Sequence, residues 1–467
     1  MSDQAIQPIH PALQNTALFE KALAHRNRRA ALWRMIYLGA SVFALLALVI
    51  LFLTIVDKVF GLGVRTYDIR PAELSTKPLE TLSEAELGAI MVEKIGVRRL
   101  RVIVRDNLLG KTIDPARLST ESIGQLFANC QYPAEIAEKM YSELDATNLV
   151  ALLESNVDQA GLYAIVSKDV LQPRIVQFFP LLQTLFNRSS VEATFQANYP
   201  KDELVWHSWL NLSFLTTEFT RDPATTGLRI AILGTIYILL LTIFISIPLG
   251  IGAAIYLEEY AKHTRFTAFL ETLIRNLAGV PSIIYGMLGL AIFVRALGDE
   301  AGLTNGRFVG ITDTNGRTIL SAAFTMSLLI LPVIIINSQE AIRAVPSSLR
   351  EASFGIGATR WQTIWRTVLP AGIPGILTGV ILSLARAVGE TAPLLVVGGL
   401  TFTTLDPNGI FSKFSVIPIQ IFAWTSEPDP RYKNVAAAAI LTLLVILLTL
   451  NATAIVLRQR YSKKLRG

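Results

Sequence analysis

"AVPSSLREASFGIGATRWQTIWRTVLPAGIPG", residues 344–375, joins two apolar runs, yet it is too polar to be a third and too patterned to be a plain loop. Pro346 suits the first turn of a helix, after which Val345, Leu349, Ala352 and Ile356 recur on one face. Gly355 and Gly357 let the chain turn. Trp361, Ile364, Trp365 and Val368 then form a second apolar stripe, whose tryptophans suit a membrane–water boundary. The stretch reads as two short helices lying along a membrane surface, with Pro370 starting the next crossing. Arg350 and Glu351 are expected on the polar side, open to a soluble partner. An ordinary amphipathic connector between spans fits the pattern equally well.

Outward from this stretch, six apolar runs of ~20 residues, the length that crosses a bilayer, lie at about 36–56, 228–257, 273–297, 318–339, 371–400 and 434–457. Lys21, Arg26, Arg28, Arg29 and Arg34 precede the first run, and Arg458, Arg460, Lys463, Lys464 and Arg466 follow the last. Basic flanks mark the cytoplasmic side. The leader 1–35 and the tail 458–467 are therefore expected in the cytoplasm, together with loops 258–272 and 340–370. The first run, following a polar leader, reads as an uncleaved signal anchor, and the leader's basic helix could also rest on anionic membrane lipid.

A polar insert, 57–227, then falls outside. "TLSEAELGAIMVEKI" and "YPAEIAEKMYSELDATNLVALLES" read as amphipathic helices, and "RRLRVIVR" and "GLYAIVS" as short strands, which makes the insert α+β. The predicted fold is an all-α polytopic membrane core of six transmembrane helices, with this domain inserted between the first and second and a five-helix core over 228–457.

Composition agrees: of 467 residues, 52% are hydrophobic and 17% charged, and the net charge of +6 sits largely beside apolar runs rather than on a nucleic-acid-binding face. Cys130, the single cysteine, forms no internal disulfide. Enzyme signatures are missing. "LLGKT" (108–112) has Arg105 where a phosphate loop needs glycine. His10, His25, His207 and His263 lack metal-ligand spacing. No metal, cofactor or catalytic residue of its own is expected, and if the chain moves a solute against a gradient, the energy must come from an ion gradient or from another chain.

"SLARAVGETAPLLVV" (383–397) places Arg386 and Glu390 within an apolar run, where a charge costs roughly 2.5–3.5 kcal/mol on insertion scales. In a helix they share one face and partly neutralise each other. Such residues usually face a wet interior and mark a substrate path, and a guanidinium fork suits an oxyanion. A packing ion pair is the plainer alternative. Thr391 adds a hydroxyl. Arg275 is expected to snorkel towards the inner surface; Pro248, Pro281, Pro332, Pro374 and Pro393 mark bends; and Gly250, Gly252, Ala253 and Ala254 form a small-residue packing surface.

"EASFGIGATRWQTIWRTVLP" (351–370) resembles the EAA loop of ABC-importer permeases: Glu351, Ala352, Gly357, Leu369 and Pro370 match, while Ser353 and Thr367 depart mildly. "LGTIYILLLTIFISIPLGIGAAIYLEEYA" (233–261), "NLAGVPSIIYGMLGLAIF" (276–293) and "LARAVGETAPLL" (384–395) resemble the PstA-type phosphate permeases, in an extended form with an extracytoplasmic insert. The resemblance covers 228–457 and implies a MetI-like permease in a bacterial inner membrane. It further implies a homologous second permease, two copies of an ATPase subunit that uses ATP, and an extracytoplasmic phosphate-binding protein. Glu351, Ala352, Gly357 and Arg350 would couple to the ATPase, and Arg386, Glu390 and Thr391 would line the path. The rivals are a permease for molybdate or sulfate, a membrane receptor or regulator in phosphate sensing, and a secondary transporter.

Overall fold

Thr16–Val59 forms one helix, α1, in the computed structural model, which describes residues 16–110, 113, 115–262, 264–297 and 316–466. The first fifteen residues of the leader, Gly467, and Lys111, Thr112 and His263 of the readings above lie outside the described residues. The apolar side chains of α1 from Leu32 to Leu53 are exposed all round, as a helix bathed in lipid requires. The chain divides into two compact units: Phe60–Trp209 with Asp222–Thr226, and the remainder.

The first of these units is α+β. Its sheet has β1 (Phe60–Thr66) at the centre. The long connection that follows β1 carries α2 (Glu84–Lys94), α3 (Val97–Val104), α4 (Ala146–Glu154) and α5 (Gln159–Val166). After it come β2 (Arg174–Pro180), α6 (Leu181–Phe186), α7 (Arg188–Asn198) and β3 (Glu203–Ser208), and both outer strands run antiparallel to β1. α2 starts at a capping box in which the Ser83 hydroxyl accepts from the Glu86 amide and the Glu86 carboxylate accepts from the Ser83 amide.

Both expected strands of the insert are helices. In "RRLRVIVR" the buried residues are Leu100, Ile103 and Val104, a helical spacing, and in "GLYAIVS" they are Leu162, Ile165 and Val166, behind an Asp158 cap. Alternating arginines imitate a strand pattern, but packing against one apolar core selects period 3.6. The expected helix "YPAEIAEKMYSELDATNLVALLES" is α-helical only in α4, because Asp145 caps the amide of Asn148 and starts a new element there.

In the second unit, five helices are long and apolar enough to cross a membrane, or six if a bent pair counts as one, among the described residues. α8 (Arg229–Ile255) ends in a wide turn, Tyr256–Tyr260. The run expected at 273–297 is not one rod. α9 (Arg265–Ala278) and α10 (Ser282–Gly289, continued to Leu297) meet at 102°, because Pro281 has no amide to donate and forces the preceding residue out of helical geometry. α11 (Ile319–Arg343) is the most buried span and packs against α8 and α13.

α12 (Ser347–Gly355) is followed by α13 (Arg360–Gly389), α14 (Ala392–Val397), α15 (Ile417–Ser426) and α16 (Arg431–Arg466). Glycine allows close approach between spans, for example where a Cβ on Gly250 would lie 2.5 Å from an Ile334 methyl and one on Gly379 2.3 Å from Asn337 Cβ. Gly252, expected on the same packing surface as Gly250, faces open space.

Candidate functional site

The stretch 344–375 folds as one helix and the start of another rather than as two surface helices. Arg360–Thr363 runs through a wide turn, Ile364–Val368, straight into the apolar part of α13, so Pro370 lies inside a continuous helix. The wide turn relaxes the spacing just where the proline ring would strike the carbonyl one turn back. Ile364 and Val368 are buried, but Trp361 and Trp365 point outward and stack with ring centroids 5.5 Å apart.

Most of the apolar face expected along α12 is likewise left uncovered by the described residues. Val345 is buried, but Leu349 and Phe354 are exposed and Ile356 is 88% exposed. Glu351 and Ala352 stand in solvent beside them, and Glu351 makes no hydrogen bond or ion pair among the described residues. Gly357 turns the chain with φ +84°, and open space surrounds the position of its absent Cβ. Ser353 meets Thr363 at 2.9 Å between hydroxyl oxygens and ties α12 to the base of α13.

Arg350 corrects the sequence reading. It is not left open to a partner: Nε and Nη2 donate to Glu259 Oε1 at 3.1 and 2.8 Å, Nη1 to the Val345 carbonyl at 2.6 Å and Nη2 to the Ile342 carbonyl at 2.9 Å. It therefore satisfies the Val345 carbonyl, adds a bond to the Ile342 carbonyl near the end of α11 and binds the α8 turn. The neighbouring Glu258 accepts two bonds from Arg343, at 2.9 and 2.8 Å. These two clamps escaped the sequence reading. The adjacent glutamates of "YLEEYA", facing an arginine-rich loop on the same side of the membrane, were the available signal.

Arg386 and Glu390 do meet, Nε to Oε1 at 3.3 Å, but not within one helix. α13 stops at Gly389, and Glu390 is extended (φ −77°, ψ 123°), followed by Thr391 at the head of the short α14. The pair thus straddles a break in the apolar run expected at 371–400. Arg386 sits in the last turn of α13, where its charge complements the carbonyl end of the helix. Its side chain is 42% exposed against 17% for Glu390, so the guanidinium lies on the outer side of this single chain. The Thr391 hydroxyl has no hydrogen bond among the described residues.

A second break lies alongside. α10 packs against α14, and a Cβ on Gly286 would sit 2.6 Å from the Pro393 Cα. Tyr285, buried in α10, donates its hydroxyl to the Leu277 carbonyl at 2.7 Å, bridging the bend to α9. This bridge also was not foreseen. Arg275 is exposed in the last turn of α9. Inside the bundle a small apolar cavity is lined by Thr235, Ile238, Thr242, Met326, Ala387 and Val388, and the buried Thr242 hydroxyl has no partner there. His207 belongs to the α+β unit, where burial pushes its imidazole down to about 4. No group of three or more histidine, cysteine, aspartate or glutamate residues able to hold a metal occurs among the described residues.

Residues 246–467 match the family described as "Binding-protein-dependent transport system inner membrane component". The chain is 33% identical over 259 residues to the probable ABC transporter permease protein YqgI of Bacillus subtilis (strain 168), covering 52% of this chain and 83% of that protein. It is 32% identical over 234 residues to the phosphate transport system permease protein PstA 1 of Mycobacterium tuberculosis (strain ATCC 25618 / H37Rv), covering 50% and 70%. Among solved structures it is similar to the inward-facing MetNI methionine ABC transporter, at 15% identity and TM-score 0.38, covering 50% of this chain and 96% of that one.

Proposed function

The chain belongs to the PstA-type family of ABC transporter permeases, and on that premise we propose that it forms half of the translocation pathway of an ATP-driven importer of inorganic phosphate. In this reading it pairs with a homologous permease and rests on two copies of an ATPase subunit. An extracytoplasmic binding protein delivers phosphate to it. Both chain ends lie in the cytoplasm of a bacterium, and the α+β unit lies outside the inner membrane. The chain itself hydrolyses nothing; ATP is used by the separate ATPase.

The observation that carries the coupling role is the α12 surface. Leu349, Phe354 and Ile356 expose an apolar face, with Glu351 and Ala352 beside it and the left-handed turn at Gly357 at its end. Such a face without cover in its own chain favours a docking partner. Arg350–Glu259 ties that surface to the turn after α8, and Arg343–Glu258 ties the same turn to α11, so that movement of a docked ATPase is passed to the spans. The position of Arg386 favours the pathway role, because its guanidinium stays partly exposed at the break between α13 and α14. A guanidinium at a helix break, with Glu390 limiting how tightly an anion is held, suits transient phosphate binding.

The test is ATP-dependent uptake of labelled phosphate by proteoliposomes holding the chain with its co-purifying permease and ATPase. Uptake that needs no ATPase would overturn the coupling role. Equal competition by sulfate or molybdate would make phosphate the wrong oxyanion.

A further inference from the structure

We propose that α6 of the α+β unit is a lipid-binding foot, seated in the headgroup layer of the membrane that α1 crosses. Pro180 pairs with Gly61 and Ser208 with Phe60, so β1 begins, β2 ends and β3 ends at one edge of the sheet. Both nearby chain crossings into the other unit, Val59 to Phe60 and Trp209 to Leu210, leave from that edge. α6 follows Pro180 directly. At 1.5 Å per residue its whole length stays within about 9 Å of the edge.

Its orientation is fixed from within the unit. Thr184 is buried and its hydroxyl donates to the carbonyls of Phe179 and Pro180, at 3.2 and 2.9 Å. That contact turns Leu182, Leu185 and Phe186 outward, and the last two are 64% and 80% exposed. Trp206, two residues before Ser208, is exposed as well. No charged residue occurs from Phe178 to Asn187.

The occupant follows from where this edge must be. α1 ends its apolar run at Asp57 and Lys58, which mark headgroup level, and Phe60 lies two residues further on. Chain connectivity alone therefore holds the edge close to the bilayer surface. Leucine, phenylalanine and tryptophan in a short uncharged helix suit that layer.

A spin-label experiment on the full chain tests the assignment. In a Cys130→Ser background, nitroxides are attached at Phe186→Cys and at Gln196→Cys, the latter near the end of α7 that leads to the opposite edge of the sheet. In nanodiscs of phosphatidylethanolamine and phosphatidylglycerol, oxygen should relax the label at position 186 several-fold more effectively than a water-soluble nickel chelate, with the reverse at position 196. Preference for nickel at position 186 overturns the proposal. So does shielding of that label from both reagents, which would mean that protein covers α6.

Discussion

The guanidinium of Arg350 and the carboxylate of Glu259 meet at 2.8 Å, joining the helix that bears Glu351 to the turn that ends α8. The same arginine holds two carbonyls, those of Ile342 and Val345. Its guanidinium is thus taken up between α12, the end of α11 and the turn after α8.

Arg350→Ala removes charged hydrogen bonds worth ~2 kcal/mol in sum and leaves the Val345 carbonyl to find water. Phosphate uptake should fall by about tenfold, the scale set by ~1.4 kcal/mol of lost coupling. The double exchange Arg350→Glu with Glu259→Arg should recover part of it. Uptake assays on the single and double variants, with ATPase co-purification as a second readout, check this.

Glu351→Lys should abolish uptake while changing thermal stability by less than about 0.5 kcal/mol, since the side chain is exposed and without a partner among the described residues. A melting curve and an uptake assay on the same preparation separate coupling from folding. Normal uptake would remove Glu351 from the coupling surface.

At Gly357 the strain lies in the backbone and not in crowding, because φ is +84° and space for a side chain is open. Gly357→Leu should cost roughly 1–2 kcal/mol locally and displace α12. Gly357→Asn, which tolerates this conformation, should retain most of the uptake. Equal loss in both variants would show that the ATPase reads the bare glycine surface instead.

Arg386→Gln should stop phosphate uptake while assembly and basal ATP hydrolysis persist, because among the described residues the Arg386 side chain hydrogen-bonds Glu390 and is not among the buried core residues. Glu390→Gln should alter the affinity for phosphate more than the maximal rate. Wild-type uptake by Arg386→Gln would leave the pair as a packing device.

In the α+β unit, His207 lies between the rings of Phe178 and Trp209, with centroids 6.3 and 4.8 Å away, and its Nε2 is buried without a hydrogen-bond partner among the described residues. Burial first, and the charge of Arg65 second, lower its pKa from 6.5 to about 4. The unfolded chain thus binds the proton more readily. The stabilisation is complete above pH 6.5 and is lost as the pH falls towards 4, amounting to about 3 kcal/mol over the window. Thermal unfolding followed by tryptophan fluorescence between pH 7.5 and 4 should show this slope, and His207→Phe should flatten it.

What was legible followed from solvent. A bilayer demands ~20 apolar residues per helix, so α1, α8, α11, α13 and α16 announce themselves by composition. The motif around Glu351 was equally plain, since its spacing is local. The bend at Pro281 was readable as a disturbance, but its 102° angle was not, because the direction after a broken turn depends on what α10 packs against. The insert was the weakest reading: short apolar segments satisfy both strand and helix periods, and the choice at Leu100–Val104 was made by the core around them.

The sequence by itself determined a polytopic helical chain, its cytoplasmic-type flanks and the Glu351 motif, because hydropathy, charge and motif spacing are properties of neighbours along the chain. Tertiary structure alone decided that Arg350 turns inward to Glu259 and that Glu390 lies beyond the end of α13 while still reaching Arg386. It also decided that the apolar face of α12 stays uncovered. Those outcomes depend on partners as far as 91 residues away in the chain, and on which buried donors and acceptors remain after the helices have packed.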